Sequence, residues 1–326
     1  MKNKNIYISL ILFFLWGILS LSAGLRPPGF DRDSFTYIDL INRPLEDIWF
    51  QEPTFIFLVY VNRFLFDGAY QTFFIFYAIL GVGFKLFSIN KMDEGRAFAL
   101  VTYVLLYYAL HDLTQIRVGV SSGLFLLSLF YLDGNKKKAI VLQVAALLFH
   151  YSAIIGLVTL FFSTKKINKL FWIAIVIFAV IVSKWMMQSF VLTIANTLPT
   201  FVSIKIINYI NILNEKGIFM DFNQYNFYYL GCVTLFFVGI LSAGGFIRNP
   251  LFLVSIKTLG LMIVSYYMLA PVPVIAGRIS EFFGIVLIIY LPMLSYVIRP
   301  RLLMASFILI FICIHAVRLN IDILNF

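Results

Sequence analysis

The chain has 326 residues, of which 62% are hydrophobic and 12% are charged, and its mean hydropathy is +0.95. A soluble domain has about 45–50% apolar and about 25% charged residues, so the composition excludes a soluble globular protein. Apolar runs of spanning length predict one all-α polytopic membrane domain, residues 1–326, rather than the short alternating segments of a β-barrel. The net charge of +10 does not indicate a nucleic-acid partner, because much of the surplus lies in short loops, as expected for cytoplasmic loops.

The apolar segments predict about ten or eleven transmembrane helices, some of them broken or half-length. The first segment is longer and more apolar than a typical signal peptide, so we interpret it as a retained helix. A shorter apolar piece at 53–66 is expected to be re-entrant or interfacial. The predicted spans are 6–24, 70–88, 97–111, 117–132, 139–162, 170–185, 226–246, 251–270, 279–297 and 302–317.

The basic clusters near the ends of these spans set the predicted topology, since Lys and Arg are retained on the cytoplasmic side. All of these clusters can be cytoplasmic together under two conditions. The segment 53–66 must not cross the membrane. The segment 139–162 must enter and leave the membrane on the same side, as two half-length helices that meet near His150. The alternative is one full helix through 139–162, which inverts every later segment; we favour the hairpin. The clusters are Lys2 with Lys4, Lys85–Arg96, Lys136–Lys138, Lys165 and Lys166 with Lys169, Arg248, and Arg299 with Arg301.

With the hairpin, four connecting segments share the extracytoplasmic side, and His150 approaches that side from within the membrane. Loop 186–225 has the mixed composition of an amphipathic lid, and loop 25–52 is the longest polar stretch near the N-terminus. We therefore expect one site on the extracytoplasmic side, around a cavity lined by broken helices. The four segments are the loop 25–52, the turn at 111–117, the loop 186–225 and the turn at 271–278.

Ionisable side chains inside apolar segments are the first candidates for that site, because they are costly at membrane depth and usually face a polar cavity. Arg117 ends a polar step that also contains Asp112 and Gln115. A guanidinium at a helix start, with backbone N–H groups nearby, suits a phosphate or a diphosphate. The structural alternative is an arginine that reaches the interface or pairs with Asp112.

Arg278 and Glu281 form a second candidate pair after the turn Pro271–Gly277. At i and i+3 they share one helix face. In a functional pair the arginine binds a leaving group and the carboxylate holds the arginine. In a structural pair the two charges neutralise each other and anchor the helix.

His150 lies between apolar residues, where a lone histidine is usually a hydrogen-bonded structural residue, yet its side chain is also well suited to accept a proton near neutral pH. In loop 25–52, Asp33 and Tyr37 are four residues apart, with Arg26 upstream. Acidic and aromatic side chains in this arrangement can bind and stack on a sugar; the alternative is an ordinary solvated loop.

Several other classes of site find no support in the sequence. Cys232 and Cys313 lie within apolar runs without metal-ligand spacing, so neither a disulfide nor a redox role is expected. No second histidine has helical spacing to His150, so a metal site is not expected. No nucleophile elbow, phosphate-binding loop or dinucleotide fingerprint occurs in a fitting context, which argues against a triad hydrolase and a nucleotide-driven pump.

Three sets of motifs together resemble the EpsG-like family of bacterial polysaccharide polymerases, the Wzy-type polymerases of O-antigen and capsule. Their order and spacing match from residue 26 to residue 283, which is most of the chain. The motifs are Arg26…Gly29-Phe30-Asp31-Arg32-Asp33…Tyr37 with Glu52-Pro53-Thr54-Phe55, then Gln115-Ile116-Arg117 with Ala145–Ala153, and finally Gly277-Arg278-Ile279-Ser280-Glu281-Phe282-Phe283.

The resemblance implies a GT-C-like fold and a substrate class. Such enzymes join oligosaccharide repeat units carried on undecaprenyl diphosphate, at the periplasmic or outer face of the bacterial inner membrane. They need no cofactor, and their activity is expected to be metal-independent. The expected partners are the lipid-linked oligosaccharide, the lipid bilayer, and the flippase and chain-length regulator of the same exopolysaccharide pathway, with no nucleic acid.

The resemblance also implies roles for individual residues. Arg117 and Arg278 bind the diphosphate leaving group, His150 accepts the acceptor proton, and Glu281 orients Arg278 or is the rival base. The expected catalytic residues are thus His150, Arg117, Arg278 and Glu281. The expected substrate-binding residues are Arg26, Asp31, Asp33, Tyr37, Glu52, Asp112, Gln115, Tyr151 and Ser152.

Two rival functions remain open at this point. The first is a different glycosyltransferase for the same substrate, such as an O-antigen ligase, which makes a single transfer instead of a polymer. The second is a flippase for the lipid-linked unit, which usually contains internal repeats that are not visible here. A membrane acyltransferase is a weaker alternative, since the expected histidine motif is absent.

Overall fold

A computed structural model of the chain describes residues 2–31, 33–185, 223–243 and 249–324, together with scattered positions between 193 and 211. The residues of these ranges form helices, turns and connecting segments, and none of them forms a strand. The prediction of an all-α polytopic membrane protein is confirmed. Most of the expected lid 186–225, as well as Arg32 and Arg248, lies outside the described residues.

The α-helices of the described residues are numbered here in chain order. Two segments are 3-10 helices, Leu45–Ile48 and Tyr151–Phe161, and α5 continues as a π-helix, Val104–Thr114. The helices are α1 Lys2–Gly24, α2 Ser34–Asn42, α3 Pro53–Phe66, α4 Tyr70–Asn90, α5 Arg96–Tyr103, α6 Ile116–Leu129, α7 Lys136–Phe149, α8 Lys169–Val182, α9 Phe227–Ser242, α10 Pro250–Met268, α11 Pro273–Gly284, α12 Leu287–Val297 and α13 Arg301–Leu324.

Among the described residues, 5 helical segments are long and apolar enough to cross a membrane, and 6 if α11 and α12 form one broken span. The predicted total of about ten or eleven also counted shorter apolar segments. The break between α11 and α12 lies inside the predicted span 279–297. The shorter apolar helices are Pro53–Phe66, Ile116–Leu129, Tyr151–Phe161, Lys169–Val182 and Phe227–Ser242.

The chain contains two compact units. The first comprises residues 1–164, 249–255 and 285–326, and the second comprises residues 165–248 and 256–284. In the first unit, α4 packs against α1 and α6, and α6 packs against α7.

Glycines allow the close packing of α4, α6 and the π-helix in the first unit. A Cβ atom added at Gly81 would lie 2.5 Å from Asp112 Oδ1, and one at Gly119 would lie 2.8 Å from the carbonyl oxygen of His111. Small residues at such positions let helix backbones approach closely, as is common in membrane proteins. The close approach leaves room for a buried ion pair between α4 and the π-helix.

That ion pair joins Lys85 to Asp112. Lys85 Nζ lies 2.8 Å from Asp112 Oδ1 and also donates to the carbonyl oxygen of Gly119 at 2.9 Å, while the Tyr103 hydroxyl donates to Asp112 Oδ2 at 2.8 Å. Both charged side chains are fully buried. By sequence, Lys85 belongs to a basic cluster at the end of the predicted span 70–88. The structure buries Lys85 within α4, which continues past it to Asn90.

The predicted hairpin at 139–162 is confirmed within the first unit. Helix α7 ends at Phe149, His150 is extended (φ −157°, ψ 121°), and the 3-10 helix runs back beside α7. Gln143 Nε2 donates to Thr159 Oγ1 at 2.9 Å across the two arms. At the far end of the hairpin, Thr164 Oγ1 donates to Asp133 Oδ1 at 2.8 Å, so the segment returns to the end from which it started.

Several of the basic clusters meet at that same end of the first unit, which we call the basic end. The ammonium groups of Lys91 and Lys138 lie 4.8 Å and 4.2 Å from the centre of the Tyr131 ring. Helices α1 and α4 run antiparallel, since Ser9 bonds to Asn90 whereas Gly24 packs against Ile75. We call the opposite end, near Gly24, the site end.

The second unit contains a buried cluster of tyrosines beside α11. The rings of Tyr229 and Tyr266 stack with their centres 3.2 Å apart, and the Tyr229 hydroxyl lies 2.5 Å from Ser280 Oγ. Asn226 caps α9 by accepting the backbone N–H of Tyr229 at 3.1 Å. Ser280 lies between Arg278 and Glu281 in sequence, so this cluster fixes the helix that carries both of them.

Candidate functional site

Two of the four predicted extracytoplasmic segments, together with the tip of the hairpin, come together at the site end of the first unit. Loop 25–52 contributes Tyr37 on α2 and Glu52 just before α3, the turn at 111–117 contributes Arg117 in the first turn of α6, and the hairpin contributes His150. The predicted convergence is therefore found for the loop 25–52, the turn at 111–117 and His150.

Glu52 is the centre of the cluster. Its Oε2 accepts a hydrogen bond from Arg117 Nη1 at 2.6 Å, and its Oε1 lies 2.7 Å from His150 Nδ1. The residue is extended (φ −62°, ψ 145°) at the N-cap of α3, directly before Pro53. Its side chain makes no capping hydrogen bond, so both carboxylate oxygens are directed to the two partners. The carboxylate is buried and bridges a guanidinium and an imidazole.

Arg117 is held by a neighbouring amide and by aromatic rings as well as by Glu52. Its Nη1 also donates to Gln51 Oε1 at 2.6 Å. Its guanidinium carbon lies 5.2 Å from the ring centre of Phe55 and 5.6 Å from that of Tyr37, within the range of cation–π attraction. Its Nε is buried and has no hydrogen-bond partner among the described residues. The site therefore contains a positioned cation with an unused donor.

His150 receives its orientation from the end of α7. The backbone N–H of His150 donates to the carbonyl oxygen of Ala146 at 3.0 Å, which completes the last turn of α7. The backbone of His150 itself is extended. With Glu52 ionised, the short contact assigns the ring proton to Nδ1. In the neutral form of this ring the lone pair is on the other nitrogen, Nε2, which points away from the carboxylate.

The electrostatics of the cluster favour an ionised Glu52 and a protonated Tyr37. Burial opposes ionisation of Glu52, but the hydrogen bond from His150 and the charge of Arg117 outweigh it and lower the pKa of Glu52 from 4.5 to about 2. Burial raises the pKa of Tyr37 to about 12, although the charge of Arg117 acts in the opposite direction. At neutral pH the cluster thus pairs one carboxylate with a guanidinium, beside a neutral phenol.

Gln51 and Tyr151 close one side of the cluster. The Tyr151 hydroxyl donates to the carbonyl oxygen of Gln51 at 3.1 Å, and Thr54 Oγ1 donates to the carbonyl oxygen of Leu148 at 2.7 Å. These bonds join the start of α3 to the tip of the hairpin. Ser152 follows in the 3-10 helix and is half-buried.

Arg26 and Asp31 lie at the same end but are occupied with each other. Arg26 Nε lies 2.8 Å from Asp31 Oδ2, and both side chains are buried. The Arg26 guanidinium also stacks on Phe74 at 4.1 Å. Asp31 Oδ1 accepts a hydrogen bond of 3.0 Å from the backbone N–H of Asp33, which is the residue directly before α2. This pair shapes the loop that carries Tyr37.

The predicted residues of the polar step 111–117 separate into two groups. Arg117 enters the cluster, and Gln115 is the N-cap of α6, with its backbone N–H bonded to the carbonyl oxygen of Leu110 at 3.0 Å. Asp112 is instead buried against Lys85. The alternative pairing of Arg117 with Asp112 is therefore not found, because Arg117 pairs with Glu52.

Arg278 and Glu281 lie on α11 of the second unit, so they are described apart from the cluster around Glu52. Arg278 is exposed and Glu281 is half-buried, three residues further along the same helix. Glu281 Oε1 would lie 3.9 Å from a Cβ atom added at Gly277, which places its carboxylate alongside that glycine.

Sequence reasoning missed the contributions of Gln51 and Lys85. Gln51 directly precedes the motif Glu52-Pro53, so its position next to a candidate carboxylate was an available signal. Lys85 carried a clearer signal, because it is a charge inside the apolar run 70–88, but it was counted with the cytoplasmic basic cluster. No group of three or more His, Cys, Asp or Glu side chains suited to a metal ion occurs in the part of the chain that the structure describes.

A family model described as the EpsG family matches residues 6–324, which is nearly the whole chain. The chain therefore belongs to the EpsG family, and this membership supports a role of the polysaccharide-polymerase type. Comparison with curated proteins and with solved structures gives no match.

Proposed function

We propose that this EpsG-family protein polymerises oligosaccharide repeat units that are carried on undecaprenyl diphosphate. In this reaction the growing chain moves from its lipid diphosphate to the non-reducing-end sugar of a new lipid-linked unit, at the outer face of the bacterial cytoplasmic membrane. Family membership supports the polymerase class, and the resemblance of the motifs supports the substrate class.

The observation that carries the proposal is the bridge from Arg117 through Glu52 to His150. One buried carboxylate holds a guanidinium on one oxygen at 2.6 Å and an imidazole on the other at 2.7 Å. The reaction needs a cation for a diphosphate leaving group and a base for an acceptor hydroxyl, and this bridge keeps both at a fixed separation.

The bond changes of the proposed step are balanced without a further reactant. The acceptor oxygen forms a bond to the anomeric carbon of the donor sugar while the bond from that carbon to the diphosphate oxygen breaks. The hydroxyl proton passes to His150 Nε2, and the lipid diphosphate leaves with its electron pair. Glu52 stabilises the imidazolium that forms, since it bonds to the other ring nitrogen.

Arg117 supplies the electrostatic part of the proposed step. Its unused Nε donor and its charge stabilise the negative charge that develops on the leaving diphosphate. Arg278 is proposed as the second arginine for this group, with Glu281 orienting it. Tyr37, Asp33 and the loop held by Arg26 and Asp31 are proposed to contact the sugars. The proposed reaction is metal-independent.

The deciding experiment is gel analysis of the surface polysaccharide from a strain that lacks this gene, complemented with the wild-type gene, His150→Ala or Arg278→Ala. We expect a polymer ladder from the wild type and single repeat units from both variants. Asp39→Asn is the matched control, because its side chain is exposed and lies outside the cluster.

Each rival function predicts a different pattern of polysaccharide bands on the gel. Complete absence of surface repeat units without the gene would favour a flippase, and lipid-linked polymer that never reaches its final acceptor would favour a ligase. A normal ladder from the His150→Ala strain would remove His150 from the reaction, and a normal ladder from the strain without the gene would contradict the proposed polymerase.

A further inference from the structure

A cavity lies at the basic end of the first unit, away from the cluster around Glu52. It has a volume of about 990 Å³ and is lined by the loop between α4 and α5, the start of α1, the end of α12 and the start of α13. Along α4, Tyr77 at the site end and Asn90 at the basic end are separated by about 20 Å, at 1.5 Å per residue. The cavity is thus distinct from the proposed reaction site.

The rim of the cavity lies where four candidate spans begin or end. These spans start at Tyr7, Arg96 and Arg301 and end at Asn90. Because the ends of transmembrane helices lie near the polar headgroups, the rim is expected at headgroup level. The walls continue from the rim into the span region.

Those walls are apolar and exposed. Val101, Leu302 and Leu309 line the cavity, and each of them exposes at least 40% of its surface. Val101 lies one to two helical turns from the start of α5, and Leu309 lies about two turns from the start of α13. A chain of methylene groups that follows these residues would cover apolar surface that the described protein leaves open.

The rim carries charges of both signs. Asp93, Glu94, Arg96 and Arg301 all line the cavity, and the ion pairs found among the described residues include none of these four. Arg96 Nε donates to the carbonyl oxygen of Met92 at 2.5 Å. The Arg301 guanidinium lies 4.9 Å from the Tyr296 ring centre. These contacts position the arginines, and neither guanidinium forms an ion pair with another described residue.

The loop that carries the carboxylates is held against α12. Gly95 has a φ of +77°, and a Cβ atom at this position would lie 2.9 Å from Pro292 Cβ. Only glycine combines this backbone conformation with such a close approach. The two carboxylates and the two arginines therefore face the cavity on a fixed frame.

We propose that this cavity binds a zwitterionic aminophospholipid. The phosphate lies between Arg96 and Arg301, the ammonium group faces Asp93 and Glu94, and an acyl chain follows the apolar walls. A purely anionic lipid would leave the two carboxylates without partners, and a cationic amphiphile would leave the arginines without partners. Charge complementarity of both signs, at headgroup level, selects this occupant.

The test uses the full-length protein purified in mild detergent and native mass spectrometry. The probes are phosphatidylethanolamine and phosphatidylglycerol with identical acyl chains, mixed in equal amounts. We expect the wild type to retain phosphatidylethanolamine at least threefold more than phosphatidylglycerol. Arg96→Gln with Arg301→Gln is expected to abolish that retention, whereas Asp93→Asn with Glu94→Gln is expected to equalise the two lipids.

Lys137→Gln is the matched control, because it removes an exposed positive charge at the same end of the unit but outside the cavity. It is expected to keep the wild-type lipid preference. Wild-type preference for phosphatidylglycerol would overturn the proposal in favour of an anionic lipid. Unchanged retention in the arginine variant would overturn the cavity as the binding site. Leu302→Gln, at an 84% exposed position, provides an independent variant that is expected to weaken retention of both lipids without affecting the fold.

Discussion

His150 Nδ1 lies 2.7 Å from Glu52 Oε1, although the two residues are 98 positions apart in the chain. The contact joins the N-cap of α3 to the tip of the hairpin, and the same carboxylate holds Arg117 at 2.6 Å. The sequence predicts that Glu52 binds substrate. Its contacts give it a further role, because they position the two side chains that are proposed to act on the substrate.

Glu52→Gln tests this positioning role. The amide keeps the size of the side chain but removes the negative charge that orients His150 and pairs with Arg117, so we expect polymerisation to fall by about 100-fold. The measurement is the polymerisation rate of the purified protein with a lipid-linked repeat unit. Asp39→Asn, an equivalent change at an exposed carboxylate, should leave the rate unchanged; equal rates in both variants would contradict the role of Glu52.

Arg117→Lys tests whether the geometry of the guanidinium matters. Lysine keeps the charge but cannot bond to Gln51 and Glu52 with a planar fork while presenting a further donor to a diphosphate. We expect a rate lower by about 10- to 100-fold, with the loss mainly in kcat. Arg43→Lys, at an exposed ion pair, is the control. Wild-type kcat in Arg117→Lys would show that a point charge is sufficient.

The depressed pKa of Glu52 predicts a stability change in acid. Because the pKa is about 2 in the folded protein and 4.5 in the reference state, the stabilisation is fully present above pH 4.5 and is lost as the pH falls toward 2. A shift of this size corresponds to about 3 kcal/mol at most. The midpoint temperature of thermal unfolding in detergent should therefore fall more steeply between pH 4.5 and 2 for the wild type than for Glu52→Gln. Parallel curves would contradict the coupling of Glu52 to Arg117 and His150.

The buried pair between Lys85 and Asp112 predicts a strong effect on stability. Lys85→Met leaves the Asp112 carboxylate buried with the Tyr103 hydroxyl as its one remaining hydrogen-bond partner among the described residues, so we expect a loss of about 3–5 kcal/mol in the free energy of unfolding. The double variant Lys85→Met with Asp112→Asn removes both charges and should recover part of this loss. Denaturant unfolding of the two variants and the wild type in the same detergent provides the measurement. A double variant that is less stable than the single variant would indicate that Asp112 is stabilised by other groups.

The sequence predicted the elements that depend on local pattern. Apolar runs located α1, α4 and α10, and the lysines on both sides of 139–162 predicted a hairpin with His150 at its tip. The polar step before Arg117 predicted a turn, and the turn occurs at Gln115. In each case hydrophobic length or charge in a short segment carries the information, so no distant contact is needed.

The central role of Glu52 and the burial of Lys85 depend on distant partners instead. Lys85 pairs with a residue 27 positions away, across an interface that exists only because Gly81 and Gly119 permit a close approach. A rule that counts lysines near the end of a span cannot distinguish this residue from Lys91, which is in the loop. Likewise, nothing adjacent to Glu52 indicates that its two oxygens are directed to α6 and to the hairpin.

The hairpin affects the number of membrane crossings, and hence the orientation of the segments that follow it. Because Thr164 bonds to Asp133, the chain enters the hairpin and leaves it at the same end of the first unit. The stretch from α7 to the end of the 3-10 helix therefore does not add a net crossing. Insertions or deletions at its tip would shift the depth of the imidazole without exchanging the compartments of the segments that follow. The depth of the His150 ring can thus change without changing the side of the membrane on which the later segments lie.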